Sequence, residues 1–197
     1  MPRQTTWAAG FWLLYTEVFE MTTSLEIPQG VKIEIDQSGT SIKISGKLGS
    51  TVKHANPALL SLSLKENKLE IETTDNKKRQ NKAKLAEQAL SSEIKAAMEG
   101  VQNGITRHMR VIYSHFPISF EIKENKVLAK NFFGEHLPRV AKIIGDTKVE
   151  IKGQDVMVTG VDPYDVGQTV ANLFKLSFQR NKDPRIFQDG IYLVREE

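Results

Sequence analysis

The chain repeats itself, and that repeat limits its architecture more than any other feature. Leu62, Leu64, Lys65, Leu69, Ile71 and Asp75 align without gaps onto Val149, Ile151, Lys152, Val156, Val158 and Asp162. Upstream, Pro28, Val31 and Ile33 correspond to Pro117, Phe120 and Ile122 after a small change of offset. Apolar residues at alternate positions mark half-buried strands, because successive side chains of a strand point to opposite faces. Val31, Ile33 and Ile35 make one strand and Ile42 with Ile44 another, joined by a turn at Ser38-Gly39. In the second half, strands at 149–151 and 156–158 are joined by the turn Gly153-Gln154-Asp155.

A helix follows each hairpin. In the first half Ala86, Leu90, Ile94, Ala97, Met98 and Val101 recur every three or four positions, which gives one apolar face, and Gly100 and Gly104 end it. In the second half Asp162 can accept the free N–H groups of the first turn. Pro163 suits the first helical position, and Asp165 sits favourably at the positive helix end. Val166, Val170, Leu173 and Phe174 supply the buried stripe. The expected fold is α+β: two tandem duplicated domains, each a mostly antiparallel sheet covered by one helix. Residues 21–102 form the first repeat, residues 103–197 the second, and residues 1–20 precede both. That leader crowds Trp7, Phe11, Trp12, Leu13, Leu14 and Tyr15 into an apolar run. The run is shorter than the roughly 20 residues a membrane span takes, and residues 17–20 make a poor signal-cleavage site. We read the leader as a dispensable or non-native extension, with Met21 as the natural start; the alternative is a membrane or partner anchor.

Chemistry is narrowed by what the chain lacks. At 197 residues, 40% hydrophobic and 26% charged, it is a globular chain rather than a disordered tail. The 27 Lys and Arg against 24 Asp and Glu give only +3, so a nucleic-acid partner must be met by locally clustered bases. Zero cysteines exclude disulfides, thiolate metal sites and cysteine nucleophiles. His54, His108, His115 and His136 have no metal-ligand spacing. No nucleophile elbow, phosphate-cradling Gly-Lys loop or dinucleotide fingerprint occurs. Gly46-Lys47-Leu48-Gly49 matches the Gly-x-x-Gly loop of KH domains, but it follows a strand instead of joining two helices and reads as a turn. Catalysis has no assembled candidate, and no cofactor or metal is implied.

Bases do cluster. Lys77, Lys78, Arg79, Lys82 and Lys84 crowd the start of the first helix, while Lys175, Arg180, Lys182 and Arg185 follow the second. The second cluster leads into Ile186-Phe187-Gln188-Asp189-Gly190-Ile191-Tyr192. Guanidiniums, amides, an aromatic pair and an Asp-Gly bend suit phosphate neutralisation and contact with bases or ribose. The same Asp-Gly pair is also an ordinary turn signal.

Val111-Ile112-Tyr113-Ser114-His115-Phe116-Pro117 resembles the VYSHFP segment that opens the second domain of the L-six family of large-subunit ribosomal proteins, in its archaeal and eukaryotic form. Three more segments follow in the family's order. Asn131-Phe132-Phe133-Gly134-Glu135 resembles its NFLGE turn, and Val166-Gly167-Gln168-Thr169 with Ala171-Asn172 its second helix. Asp183 to Tyr192 resembles its terminal DxRxFxDGIY signature. The resemblance runs from about Leu25 to the C-terminus and leaves the leader outside.

The resemblance implies a duplicated α+β protein without enzymatic activity or cofactor, in cytoplasmic ribosomes. It implies binding to large-subunit ribosomal RNA near the sarcin–ricin region, beside the surface where translation factors work. Neighbouring large-subunit proteins are implied as partners; a membrane and an obligate homo-oligomer are not. Most RNA contact falls to the second domain, through Lys175, Arg180, Lys182, Asp183, Arg185, Gln188, Asp189, Gly190 and Tyr192, with Arg139, Gln168 and Asn172. On this reading Arg180 and Arg185 clamp phosphates, Asp183 orients the arginines and Asp189-Gly190 sets a backbone bend; Phe187 and Tyr192 either stack on RNA or pack the turn, with packing preferred for Phe187. His136 stands where relatives usually carry a basic residue, and in the interdomain stretch from Gly104 to Arg110, Ile105 and Arg107 replace usual aromatics. The alternative is a free-standing protein-interaction module that uses exposed sheet edges. The arginines and amides of the terminal cluster argue against it, because protein interfaces bury aromatic and aliphatic anchors at their centres.

Overall fold

The computed structural model describes residues 23–194, apart from 37–38, 66–67, 74–79, 115, 180–181 and 184. The leader, Ser38, Asp75, Lys77, Lys78, Arg79, His115 and Arg180 therefore lie outside the described residues. The first half runs β1 (Thr23–Glu26), β2 (Lys32–Ile35), β3 (Ser41–Ser45), β4 (Ser50–His54), β5 (Leu60–Lys65), β6 (Lys68–Thr73) and α1 (Gln80–Asn103). The second runs β7 (Ile105–Ile112), β8 (Ser119–Lys123), β9 (Lys126–Lys130), β10 (Arg139–Lys142), β11 (Lys148–Lys152), β12 (Asp155–Gly160), α2 (Pro163–Leu176) and β13 (Gly190–Leu193).

The repeat holds down to strand register. Leu62 faces Ile71 and Leu64 faces Leu69 across the β5–β6 hairpin. Their counterparts Val149 and Val158, and Ile151 and Val156, face each other across β11–β12. A slip of one residue would turn every apolar side chain to the other face, so the shared pattern forces the shared register. The first half has sheets β1-β6-β5 and β2-β3-β4. The second has β7-β12-β11 and β8-β9-β10 in the same antiparallel arrangement, and adds β13 to the free side of β7. The α+β duplication is thus present, with the strands of each half divided between two sheets.

Each half has its own core. Ile42 and Ile44 of β3 and Leu69 and Ile71 of β6 pack with Ile94, Ala97 and Val101 of α1. Met109, Val111, Val127, Ala129, Val156 and Val158 pack with Val166 and Leu173 of α2. Each fully buried Ile, Leu or Val contributes about 1.5–3 kcal/mol relative to exposure.

Three local expectations are corrected. Gly100 lies inside α1, not at its end, because a Cβ there would stand 2.3 Å from the Val161 carbonyl oxygen of the other half. The helix stops at Gly104, whose φ of +73° lets its N–H reach the Gly100 carbonyl at 2.9 Å. The stretch from Gly104 to Arg110, read as a connection between units, forms most of β7, which lies between β12 and β13 because Met109 and Val111 alternate into the core. Finally, Asp189-Gly190 is not a tight turn. Gly190 opens β13 opposite Ile112, its φ is not positive, and it is small because the Tyr192 ring would lie 3.0 Å from its Cβ. Pairing with the free side of β7 overrides the local Asp-Gly signal.

Candidate nucleic-acid interface

The turn after β9 is shaped by two residues in left-handed backbone conformation, Asn131 (φ 59°) and Phe133 (φ 53°). The Asn131 side-chain amide donates to the Pro117 carbonyl at 3.1 Å, which ties this turn to the segment after β7. The twist buries Phe132 and leaves Phe133 half-buried.

Arg139 holds this turn against the end of α2. Its guanidinium carbon lies 4.4 Å from the Phe132 ring centre. Nε and Nη2 donate to the two Glu135 oxygens at 2.8 and 2.6 Å. Nη1 donates to the carbonyls of Leu176 and Phe178 at 2.9 and 3.1 Å. Arginine suits the site because its planar fork matches a carboxylate and its charge complements the negative helix end. The Arg139 hydrogen bond and charge, with Lys182 adding to them, hold the Glu135 carboxyl below the usual range.

The terminal segment comes back onto the same turn. Lys182 places its ammonium 4.5 Å from the Phe133 ring centre and 4.8 Å from that of Phe187, while the two rings meet edge to face at 6.0 Å. A cation between two aromatic faces is attracted by both ring quadrupoles. Two segments far apart in sequence, the Asn131–Glu135 turn and the terminal run, therefore make one exposed cluster.

The other predicted site residues divide into exposed groups and supports. Lys175, Lys182, Arg185 and Gln188 are exposed. Asp183 works through the main chain: its carboxylate accepts from the Arg185 N–H at 2.9 Å, and its carbonyl accepts from Ile186 and Phe187. It orients the backbone of Arg185, not the guanidinium. Asp189 and Gly190 are buried, and the Asp189 carboxylate accepts from the Ser114 N–H at 3.1 Å. The Tyr192 hydroxyl donates to the Gln188 carbonyl at 3.0 Å. Gln168 donates to Asn172 at 3.2 Å, and Asn172 donates to the Lys142 carbonyl at 2.9 Å, which pins α2 to β10. Arg180 lies outside the described residues. Phe187 meets the Phe133 ring edge to face and stays 40% exposed.

Sequence reasoning missed Thr169, Thr51 and Lys53. Thr169 is fully buried and accepts the Ile144 N–H at 3.1 Å. Thr51 and Lys53 reach across to Asp162 of the other half. Their only local signal is that they alternate with exposed Ser50, Val52 and His54, which reads as an ordinary strand.

Among the described residues no group of three His, Cys, Asp or Glu could hold a metal ion, and no helix is long and apolar enough to cross a membrane. The features on view define a duplicated α+β protein whose second half presents cations interleaved with aromatic rings. No family model matches the chain. It is 36% identical to large ribosomal subunit protein uL6 of Archaeoglobus fulgidus over 96% of both chains. It is 37% identical to that of Methanothrix thermoacetophila over 91% of this chain and 99% of the relative. With that of Methanocella arvoryzae it shares 38% over 89% and 97%. The chain belongs to the uL6 family of large ribosomal subunit proteins. The Archaeoglobus match leaves about 4% of the chain uncovered, so part of the leader, read above as outside the resemblance, lies inside that match.

Proposed function

We propose that this chain is a structural constituent of the large ribosomal subunit, and that its second half docks on large-subunit ribosomal RNA near the sarcin–ricin region. The observation that carries this reading is the Lys182 ammonium between Phe133 and Phe187, with Arg185, Gln188 and Lys175 exposed. Lys182 keeps N–H donors free for phosphate while the rings fix its position, and the exposed parts of those rings can stack on a base. Lys175, Lys182, Arg185 and Gln188, with Arg180 by its place just ahead of the signature, make the RNA contacts. Arg139, Asp183, Asp189, Gly190, Gln168 and Asn172 support them, because their polar groups are already committed within the protein. Tyr192 belongs to the supports through its hydroxyl and contributes part of its ring surface. No reaction is assigned. The protein resides with cytoplasmic ribosomes, and neighbouring large-subunit proteins complete its surroundings.

Two experiments test this. In a sucrose gradient of cell lysate the chain should follow the large subunit; recovery only at the top of the gradient contradicts the reading. The chain has no cysteine, so Arg185→Cys gives a single attachment point for an Fe(II) chelate. Hydroxyl-radical cleavage should fall around the sarcin–ricin region, and cleavage confined elsewhere contradicts the proposed location.

A further inference from the structure

Between the two halves lies a cleft of about 890 Å³. All five residues of β4 line one wall; the start of β11, the end of β12 and the first turn of α2 line the other. Strand β4 is the edge of its sheet and pairs only with β3. The bonds from the Gly46 N–H to the Gly49 carbonyl (2.9 Å) and from the Ala55 N–H to the Thr40 carbonyl (2.7 Å) fix the hydrogen-bonding phase of that pair. Bonded and non-bonded pairs alternate along an antiparallel ladder. Ser50, Val52 and His54 therefore turn their N–H and C=O groups away from β3, and none of the described residues bonds them.

A free edge of this kind is a template for another strand, and proteins usually blunt it with charge or proline. The edge strands β2, β8 and β11 follow that rule with Lys32 and Glu34, Glu121 and Lys123, and Lys148, Glu150 and Lys152. The outward residues of β4 include no Lys, Arg, carboxylate or Pro. Val52, 48% exposed, and Leu48, 55% exposed, add apolar side chains to the same wall.

The charge of the lining selects the occupant. Lys53 is already bridged by Asp162 at 2.9 Å and Glu93 at 3.2 Å. Asp146 and Asp165 line the opposite wall with Lys148. Burial is the main cause that pushes the Asp165 carboxyl above its usual range; the Asp162 carboxylate adds to it, Lys53 opposes it, and Asp146 adds further. A phosphate backbone is repelled there and a cationic polypeptide attracted.

We infer that the cleft takes an extended, Lys- or Arg-rich segment of another large-subunit protein, which pairs with β4 as an added strand and sets its cations against Asp146 and Asp165. Main-chain bonds to a free edge supply affinity and alternate side chains supply selectivity. The identity of the partner as a ribosomal protein rests on the proposed function; the pairing itself does not.

The probe is a ten-residue peptide alternating Lys and Val, added to the full chain. It should slow amide hydrogen exchange at Ser50, Val52 and His54, whereas the matching Glu-Val peptide should not. Val52→Pro removes the central outward donor without touching a bond to β3, and should weaken Lys-Val binding about tenfold. Asp146→Asn with Asp165→Asn should weaken it comparably with the backbone unchanged. Unaltered affinity in both variants, or protection only outside β4, overturns the inference. In assembled large subunits a photoreactive residue at Val52 should cross-link to a basic protein segment. Cross-linking to RNA, or no adduct in subunits that contain the chain, overturns it. Peptide pairing by a chain that never enters the subunit would support the cleft and contradict the ribosomal reading.

Discussion

Asp162 closes the first turn of α2 and holds Lys53 of the other half with the same carboxylate. It accepts the Tyr164 N–H at 2.8 Å and the Lys53 ammonium at 2.9 and 3.0 Å, with the Thr51 hydroxyl as a further donor. The Lys53 side chain is only 5% exposed. Beside this bridge, Gly100 brings α1 against the Val161 carbonyl. The relation of the two halves is thus set at one contiguous patch.

Loss of Asp162 should therefore cost more than loss of Lys53. Asp162→Ala removes a helix cap worth about 1 kcal/mol and leaves the buried Lys53 ammonium with the half-exposed Glu93 as its remaining carboxylate, a penalty of up to about 3 kcal/mol. Lys53→Met removes the charge along with the pairing and should cost less than half as much. Urea unfolding of both variants measures the difference; equal losses would contradict this account.

The bridge also fixes where pH acts. Burial opposes ionisation of Asp162, but hydrogen bonds from Thr51, Lys53 and the Tyr164 N–H outweigh it and hold the carboxyl below its ordinary value of 3.8. A depressed carboxylate contributes stability above its unfolded value and loses it as pH falls through the folded one. For Lys53, burial opposes the charge, yet Asp162 and Glu93 hold the ammonium above 10.5. That contribution is complete below 10.5 and disappears only as pH rises through the folded value. The stability gap between the natural chain and Asp162→Asn should be flat from about pH 5 to 9 and shrink toward about pH 2. A gap unchanged at the acid end would place the stabilisation elsewhere.

Two helical glycines should respond in opposite directions. Gly167 in α2 has no atom within 4 Å of an added Cβ, so Gly167→Ala should stabilise by up to about 1 kcal/mol through helix propensity. Gly100→Ala carries the same intrinsic gain but meets backbone at 2.3 Å, and should lower the melting temperature. The pair is read by thermal unfolding; stabilisation by both would remove the close approach at Val161 from the account.

Much of the fold was legible because the hairpins repeat a period of two and Asp162-Pro163 marks a helix start. The cores at Ile71 and Val158 follow from that pattern alone. What escaped depends on contacts distant in sequence. Nothing near Lys53 announces a carboxylate from the second half, and nothing near Gly190 announces the free side of β7. In the candidate site, Lys182 and Arg185 are exposed, whereas Arg139, a cation like them in the sequence, is engaged by Glu135 and the end of α2.

Arg139 and Lys182 should separate folding from binding. Arg139→Ala deletes four hydrogen bonds and a ring contact, and should destabilise by about 2 kcal/mol or more. Lys182→Ala removes an exposed cation–π contact and should cost about 0.5–1 kcal/mol. Thermal melts with RNA-binding assays on both variants check this; a large stability loss for Lys182→Ala would reverse the two roles.

The salt dependence of binding to a large-subunit RNA fragment containing the sarcin–ricin region tests the central claim. Each phosphate neutralised contributes roughly 0.7–0.9 to the log–log slope. Replacing Lys175, Lys182 and Arg185 together by Ala should reduce the slope by roughly two to three units and weaken binding across the salt range. A slope identical to that of the natural chain would mean that these cations face no phosphate, and that the RNA surface lies elsewhere on the protein.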